Sequence, residues 1–434
     1  MAAGWLLAGL FPRELCFSGV GKEIKMVKKA LVAPLIALSL SVIAAYPCRS
    51  QLADSAWPKF HGDLGNTGRT SIIAQGNRLK WWVSSGGGYE GTSVSVGADG
   101  TVYTMAQTGL MAVSPNGSKR WTHQGGPGTC TPAVGRDGTI YYGTHRLNNT
   151  QNGMFYAVNP NGTTKWSFSF YGNDYPSSPT IDSLGNLYFG STYVTGYLYS
   201  LRADTGQFNW QVQVGEISSS PAIDHMGRIL IGDDSGYISA FDTSGNTCWR
   251  NKISGLSRSS PAVSADGTIY IGNLNGRLWA LNETGPTRWS KDMGSGMNGT
   301  PALGADGTIY TVTGDATLRA FSPNGDALWS YRSPTYHGSS TYFGSPTVDG
   351  NGTIYYTSNR AWDAGLIAVN PNGTLKYDTL YSGVVSAPAI GPQGQIYLGG
   401  AGGVWCLVPE PSGVLVLVAG ALALAGGYNR RRRM

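Results

Sequence analysis

The strongest constraint on this chain is a thirteen-residue pattern that it writes again and again. "TPAVGRDGTIYYG" stands at 131–143, "SPTIDSLGNLYFG" at 178–190, "SPAVSADGTIYIG" at 260–272 and "TPALGADGTIYTV" at 300–312. A fixed period of about 40 residues is the signature of a repeat architecture, and it overrides any domain count taken from length. One full unit, 260–292, divides into four short apolar runs: Pro261–Val263, Thr268–Ile271, Leu278–Leu281 and Arg288–Lys291. Asp266-Gly267, Asn275-Gly276 and Glu283-Thr284-Gly285 separate them. Asp-Gly and Asn-Gly supply the positive φ angles of tight hairpins, and Val, Ile, Tyr and Trp suit half-buried strands. Four antiparallel strands in one such unit make one propeller blade.

The glycine that opens the second run recurs at 100, 138, 185, 227, 267, 307, 352 and 394, giving eight units. The fourth run carries an aromatic: Trp121, Trp166, Trp210, Trp249, Trp289, Trp329 and Tyr377. The eighth unit stops after three runs, while "RLKWWV" (78–83) precedes the first unit with Trp81 at the aromatic position. Pairing the N-terminal strand into the last blade removes an open edge. The expectation is an all-β, eight-bladed propeller of four-stranded antiparallel blades, closed by strand 78–83. Small Ser/Thr-Pro-Ala entries suit innermost strands at a crowded axis, and the Ile-Tyr pairs suit stacking between blades.

Charge is needed only to exclude one class of partner. The formal net charge is +6, but residues 1–50 carry six Lys/Arg against two acids, and 408–434 carry four Arg against one. The body, 51–407, is left close to neutral, so nucleic acid is not an expected partner. Cys16, Cys48, Cys130, Cys248 and Cys406 include no CxxC, which implies neither a zinc site nor a disulfide framework. They read as buried structural thiols.

Both ends read as addresses. "MVKKALVAPLIALSLSVIAA" (26–45) has a basic start, an apolar run and small residues, the layout of a secretory signal. Residues 26–50 are assigned to that signal, and 1–25 to an extension ahead of it. At the other end an apolar stretch at 413–427 follows Pro409-Glu410-Pro411 and precedes Arg430, Arg431, Arg432 and Arg433. Residues 408–434 closely resemble the PEP-CTERM sorting tail of bacterial exported proteins. The resemblance implies an exosortase-type sorting protease as partner, and a place at the cell envelope, cell surface or extracellular matrix, with a C-terminal membrane anchor that is transient or permanent.

The repeats themselves, as in "SPAVSADGTIYIG…GRLWALN…TRW", resemble the PQQ-like repeat named for quinoprotein dehydrogenases, and "WPKFHGDLGNTGRT" (57–70) resembles the segment that leads into such propellers. The resemblance covers 57–407. It implies a propeller fold, in which some members hold pyrroloquinoline quinone while others, such as the propeller lipoprotein of outer-membrane barrel assembly, hold none. The quinone cradle of the dehydrogenases includes an adjacent cysteine pair, a stacked Trp, calcium-binding Glu/Asn/Asp and a catalytic Asp. This sequence has no Cys-Cys dipeptide.

Strand alternation places turns 1–2 and 3–4 on one end of the ring, and loops 2–3 with the 4–1 links on the other. The irregular insertions all fall on the second end: 143–153, 169–177, 331–344 and 358–365. Variable loops on a rigid scaffold are a common mount for binding sites. The candidate ligand-binding residues are His145, Arg146, Tyr171, Asp174, Tyr175, Tyr336, His337, Tyr342, Arg360, Trp362 and Asp363. Aromatic rings beside Arg and Asp suit a sugar or a peptide. None of His61, His123, His145, His225 and His337 has metal-motif spacing, and no GxSxG elbow occurs. No catalytic or metal residues are therefore assigned. The first expectation is a monomeric, non-catalytic, exported propeller that takes a surface polysaccharide or envelope protein and needs no cofactor. The alternatives are an oxidoreductase dependent on a metal or on pyrroloquinoline quinone with calcium, and an envelope assembly scaffold.

Overall fold

The computed structural model describes residues 51–86, 93–145, 152–171, 176–192, 196–255, 258–334, 344–358, 365–381, 386–400 and 402–409, with the Tyr171 side chain excepted. The 1–50 segment and the tail from Glu410 onward lie outside the described residues, and so does the sorting signal apart from Pro409. Among the described residues no helix is long and apolar enough to cross a membrane.

Eight four-stranded antiparallel sheets follow one another around a ring. Numbered along the chain, blades 1 to 7 span 95–123, 133–171, 180–214, 222–252, 262–292, 302–332 and 347–380. Blade 8 takes Ala389–Ile390, Ile396–Gly400 and Gly403–Val408, and its outermost strand is Arg78–Ser84. Trp81 stands opposite Cys406, Trp82 opposite Trp405 and Ser84 opposite Gly403. The closure expected from "RLKWWV" is present.

The repeated letters each have a mechanical role. The eight glycines of the 1–2 turns all take φ between 76° and 84°, a region that side chains resist. In the DGT copies the aspartate fastens the turn. Asp266 accepts from the Thr268 amide and hydroxyl at 3.0 Å each. Burial alone would raise its pKa, but the Ser264 and Thr268 hydrogen bonds and the nearby Arg288 bring it down to about 2.

In every blade the outer two strands slip by one residue just before the repeated aromatic. Such a bulge bends the strand and adds twist, and here it sends the ring towards the following blade. The indole N–H groups of Trp81, Trp121, Trp166, Trp210, Trp249, Trp289 and Trp329 donate to the carbonyls of Pro115, Pro160, Ala203, Thr243, Glu283, Pro323 and Pro371, at 2.9–3.0 Å. Each acceptor lies in the next blade's 3–4 turn. Tyr377 does the same with the Gly76 carbonyl beside blade 8. The turn's glycine lies flat on the ring: a Cβ at Gly245 would stand 2.8 Å from the Trp210 ring.

The apolar core is distributed between blades. Tyr103, Met105 and Leu110 of blade 1 pack with Val134, Ile140 and Tyr142 of blade 2. Leu230 and Ile238 of blade 4 pack with Ile269 and Ile271 of blade 5. The Ile-Tyr alternation thus sends one side chain to each neighbour, as expected.

Nearest the axis the Ser/Thr-Pro entries do more than save space. The Thr131 amide donates to the Ser178 hydroxyl at 2.8 Å, Ser220 to Ser260 at 2.8 Å, Ser260 to Thr300 at 3.1 Å and Thr300 to Ser345 at 2.9 Å. Ala387 of blade 8 donates to Ser93, at the entry to blade 1, at 3.1 Å. A belt of hydroxyls therefore couples the blades to one another. The residue before this position ties each blade to itself. Ser177, Ser219, Ser259 and Ser386 accept from the amides of Gly190, Gly232, Gly272 and Gly399, and Cys130 occupies the same place against Gly143.

Cys130 and Cys406 are buried thiols as expected, and burial pushes each up to about 12. Cys248 is exposed, which corrects the expectation for that residue. It sits at the bulge of blade 4, where the side chain has no partner across the ladder.

Candidate functional site

The two ends of the ring are built differently. Innermost strands pair on one side only, so their other edge faces the axis with amides to satisfy. The lead-in segment satisfies them. Carbonyls of Trp57, Pro58, Leu64, Gly65, Thr67 and Gly68 accept from Val96, Val134, Ile223, Val263, Leu303 and Val348 at 2.7–2.9 Å. These amides occupy one equivalent position in blades 1, 2, 4, 5, 6 and 7, next to the 1–2 turns. Residues 57–68 therefore cap the axis at the end that carries the tight turns.

Inside that cap lie groups that the lead-in resemblance did not single out. Lys59, His61 and Asn66 are essentially without solvent contact. The Asn66 carboxamide donates to the carbonyls of Ser220 at 3.3 Å, Pro221 at 3.4 Å and Pro261 at 3.2 Å. Its own oxygen accepts from the Lys59 amine, which also donates to the Asp63 backbone carbonyl at 3.1 Å. Burial lowers the Lys59 pKa to about 7, against the opposing attraction of Asp63. His61 Nδ1 lies 2.7 Å from the Asn66 backbone carbonyl, while burial lowers its pKa to about 4. The sequence signal, visible only in hindsight, is the glycine rhythm of "FHGDLGNTG". Gly62 and Gly68 take φ of 84° and 63°, and His61 and Asn66 take 58° and 54°. A segment so folded can turn its carbonyls outward all round.

At the opposite end, loops 2–3 and links 4–1 leave the sheets. Of the candidate ligand residues, His145 is described: it is half-buried just after the strand Ile140–Thr144, and its amide donates to the Pro127 carbonyl at 3.3 Å. Tyr171 ends the strand Thr164–Tyr171 opposite Asn152. Arg146, Asp174, Tyr175, Tyr336, His337, Tyr342, Arg360, Trp362 and Asp363 lie outside the described residues.

On blade 4 and the described part of its link to blade 5 this end holds charge. Asp233 pairs with Arg250 at 3.1 Å, and the Arg250 guanidinium lies 3.8 Å over the Tyr237 ring. Burial raises the Asp234 pKa, with Arg258 opposing the shift. Where blades 8 and 1 meet, an open pocket of about 440 Å³ is lined by Ser84, Ser85, Gln107, Thr108, Thr122 and Gln124 among others. These polar groups escaped the sequence reading because their loops are short and carry no unusual residues.

Among the described residues no three His, Cys, Asp or Glu side chains converge as a metal site. Cys130, Cys248 and Cys406 are free thiols in blades 2, 4 and 8.

The geometry defines a class: an eight-bladed β-propeller, ring-closed by its N-terminal strand and capped on its axis. Within that class, a family model described as outer membrane protein assembly factor BamB matches residues 67–231 and again 234–401. The chain belongs to this family of PQQ-like repeat propellers. Among solved structures, BamB from Moraxella catarrhalis superposes with a TM-score of 0.60 at 16% identity, over 73% of this chain and 94% of that one. The quinohemoprotein alcohol dehydrogenase from Comamonas testosteroni gives 0.64 at 14%, over 82% and 81%. A europium-containing methanol dehydrogenase gives 0.62 at 13%, over 80% and 90%. At these identities the likeness is one of fold. No curated protein matches the sequence significantly.

Proposed function

We propose that this chain is an exported, non-catalytic propeller of the cell envelope that binds a surface polysaccharide or an envelope protein at the end bearing the loops 2–3 and links 4–1. The observation that carries the reading is the asymmetry of the ring. One end carries only short 1–2 and 3–4 turns around an internal cap, while the long insertions of the sequence all fall between strands at the other, beside short glycine turns at Gly236 and Gly276. The secretory layout of 26–45 and the PEP-CTERM-like tail support export and a place at the surface or matrix. An exosortase-type protease is the partner proposed for the tail. The test is binding of the mature chain to surface polysaccharide prepared from the source cell, and to its envelope proteins. Trp362→Ala and Tyr336→Ala should weaken binding at least tenfold with the melting temperature unchanged. Undiminished affinity would reject the loop face.

The family match favours a second reading, a scaffold in envelope assembly, because its description is that of an assembly factor. Co-purification of an outer-membrane assembly protein, without polysaccharide binding, would select it. The quinone-dependent alternative is tested by melting the chain with pyrroloquinoline quinone and calcium. A ligand at 100 times its dissociation constant adds about 2.7 kcal/mol. A clear upward shift would overturn the non-catalytic reading.

A further inference from the structure

Lys59 is a fully buried lysine whose amine is held by two neutral oxygens, the Asp63 backbone carbonyl and the Asn66 carboxamide. The Asp63 carboxylate is turned to the Thr67 amide, at 2.9 Å, and to its hydroxyl. A buried ammonium without a directly bonded counter-ion gives up its proton readily, and the shift of Lys59 to about 7 makes a large share of it free amine at neutral pH. The electrophile it faces is fixed. Three carbonyls of blades 4 and 5 hold the Asn66 NH₂ group, and the backbone there is locked at φ 54° with its carbonyl on His61. A nucleophilic amine and an amide carbonyl are therefore kept in contact in a site that water does not reach, the condition under which intramolecular reactions gain most.

We propose that Lys59 and Asn66 join each other in an intramolecular isopeptide bond. Lys59 Nζ bonds to Asn66 Cγ, the Cγ–Nδ2 bond breaks, an Nζ proton passes to the departing nitrogen, and ammonia leaves. The product is a secondary amide, and the step needs no oxidant, reductant or outside reagent. The cross-link closes residues 59–66 into a ring inside the axial cap, whose segment is hydrogen-bonded to six blades. It would form only after those blades have assembled around it.

The experiment is mass spectrometry of the folded full chain, held for several days at pH 8 and then digested with trypsin. The bond predicts no cleavage after Lys59, and a peptide running through Arg69 that is lighter by about 17 Da, the mass of ammonia. Backbone fragments between 59 and 66 should be missing. The same chain kept unfolded in guanidinium chloride should show the full mass and ordinary cleavage, and Lys59→Met should show its own full mass with no loss of ammonia. Cleavage after Lys59 in the folded wild-type protein overturns the proposal. So does an ammonia loss that maps elsewhere, such as cyclisation of Gln51 or a succinimide at Asn66. The wild-type result is decisive even if Lys59→Met fails to fold.

Discussion

Two glycines of blade 4 separate the cost of an unusual backbone from the cost of disturbing a blade junction. Gly227 and Gly245 both have positive φ, 76° and 86°. A Cβ at Gly227 would meet nothing within 4 Å, whereas one at Gly245 would lie 2.8 Å from the Trp210 ring. Gly227→Ala should therefore cost only the left-handed backbone, about 1–2 kcal/mol. Gly245→Ala bears the same backbone cost and must also push the Trp210 ring aside. Forcing a methyl into a packed contact costs about 1–3 kcal/mol. Loosening the indole bond to the Thr243 carbonyl, 2.9 Å long, costs about 1 kcal/mol more. The total is roughly 3–6 kcal/mol, to be read as the shift in urea midpoint at constant slope. In a Trp210→Ala background the excess should vanish, giving a coupling of about 2–4 kcal/mol in the double-mutant cycle. Equal costs for the two glycine variants, or additivity within about 0.5 kcal/mol, would refute the idea that the indole stack holds neighbouring blades together.

Three further outcomes are expected. Cys130→Ser should change stability by less than about 1 kcal/mol, because serine makes the same bond in four other blades, while Cys130→Ala should cost about 1–2 kcal/mol; denaturation midpoints decide it. The folded-state pKa of His61, about 4, lies below the ordinary value near 6.5, so the unfolded chain takes the proton first. His61 then costs nothing above pH ~6.5 and removes roughly 3 kcal/mol as the pH falls to 4; His61→Asn, which tolerates the positive φ, should flatten that acid limb in pH-dependent urea titrations. A chain in which residues 78–84 are replaced by a Gly/Ser segment of equal length keeps the axial cap but leaves Gly403–Val408 as an open edge, and should elute as oligomers in size-exclusion chromatography, whereas a monomer with an unchanged midpoint would refute the sealing role of Arg78–Ser84.

What the sequence disclosed was whatever repeats locally. The Asp-Gly turns, the alternating Ile and Tyr, and the displaced "RLKWWV" are short-range patterns, and each predicted its strand to within a residue or two. What it concealed were contacts between residues far apart in the chain. Ser220 and Ser260 look like neutral small residues until the belt shows one donating to the other. Lys59 looks like a surface lysine because nothing beside it announces that the axis closes over it. The exposure of Cys248 has no local signal, since the bulge that turns it outward is set by pairing across strands. The loop face was legible only as a location: the insertions mark which end varies, but loops without periodicity give no rule for where their side chains go.

The closure of blade 8 makes the fold depend on its two extremes at once. Strand Arg78–Ser84 is synthesised before any blade, yet its partner Gly403–Val408 comes near the very end of the chain. Until then the early strand has no ladder, and the residues that cap the axis have no ring to cap. Contacts of such sequence separation slow folding. A nascent chain must therefore carry "RLKWWV" unpaired until residues 403–408 have been made. Completion of the ring is thus a test of completeness: a chain truncated anywhere before residue 403 cannot pair its first strand, and it leaves open to the cell's proteases the backbone groups that an intact molecule ladders with Gly403–Val408.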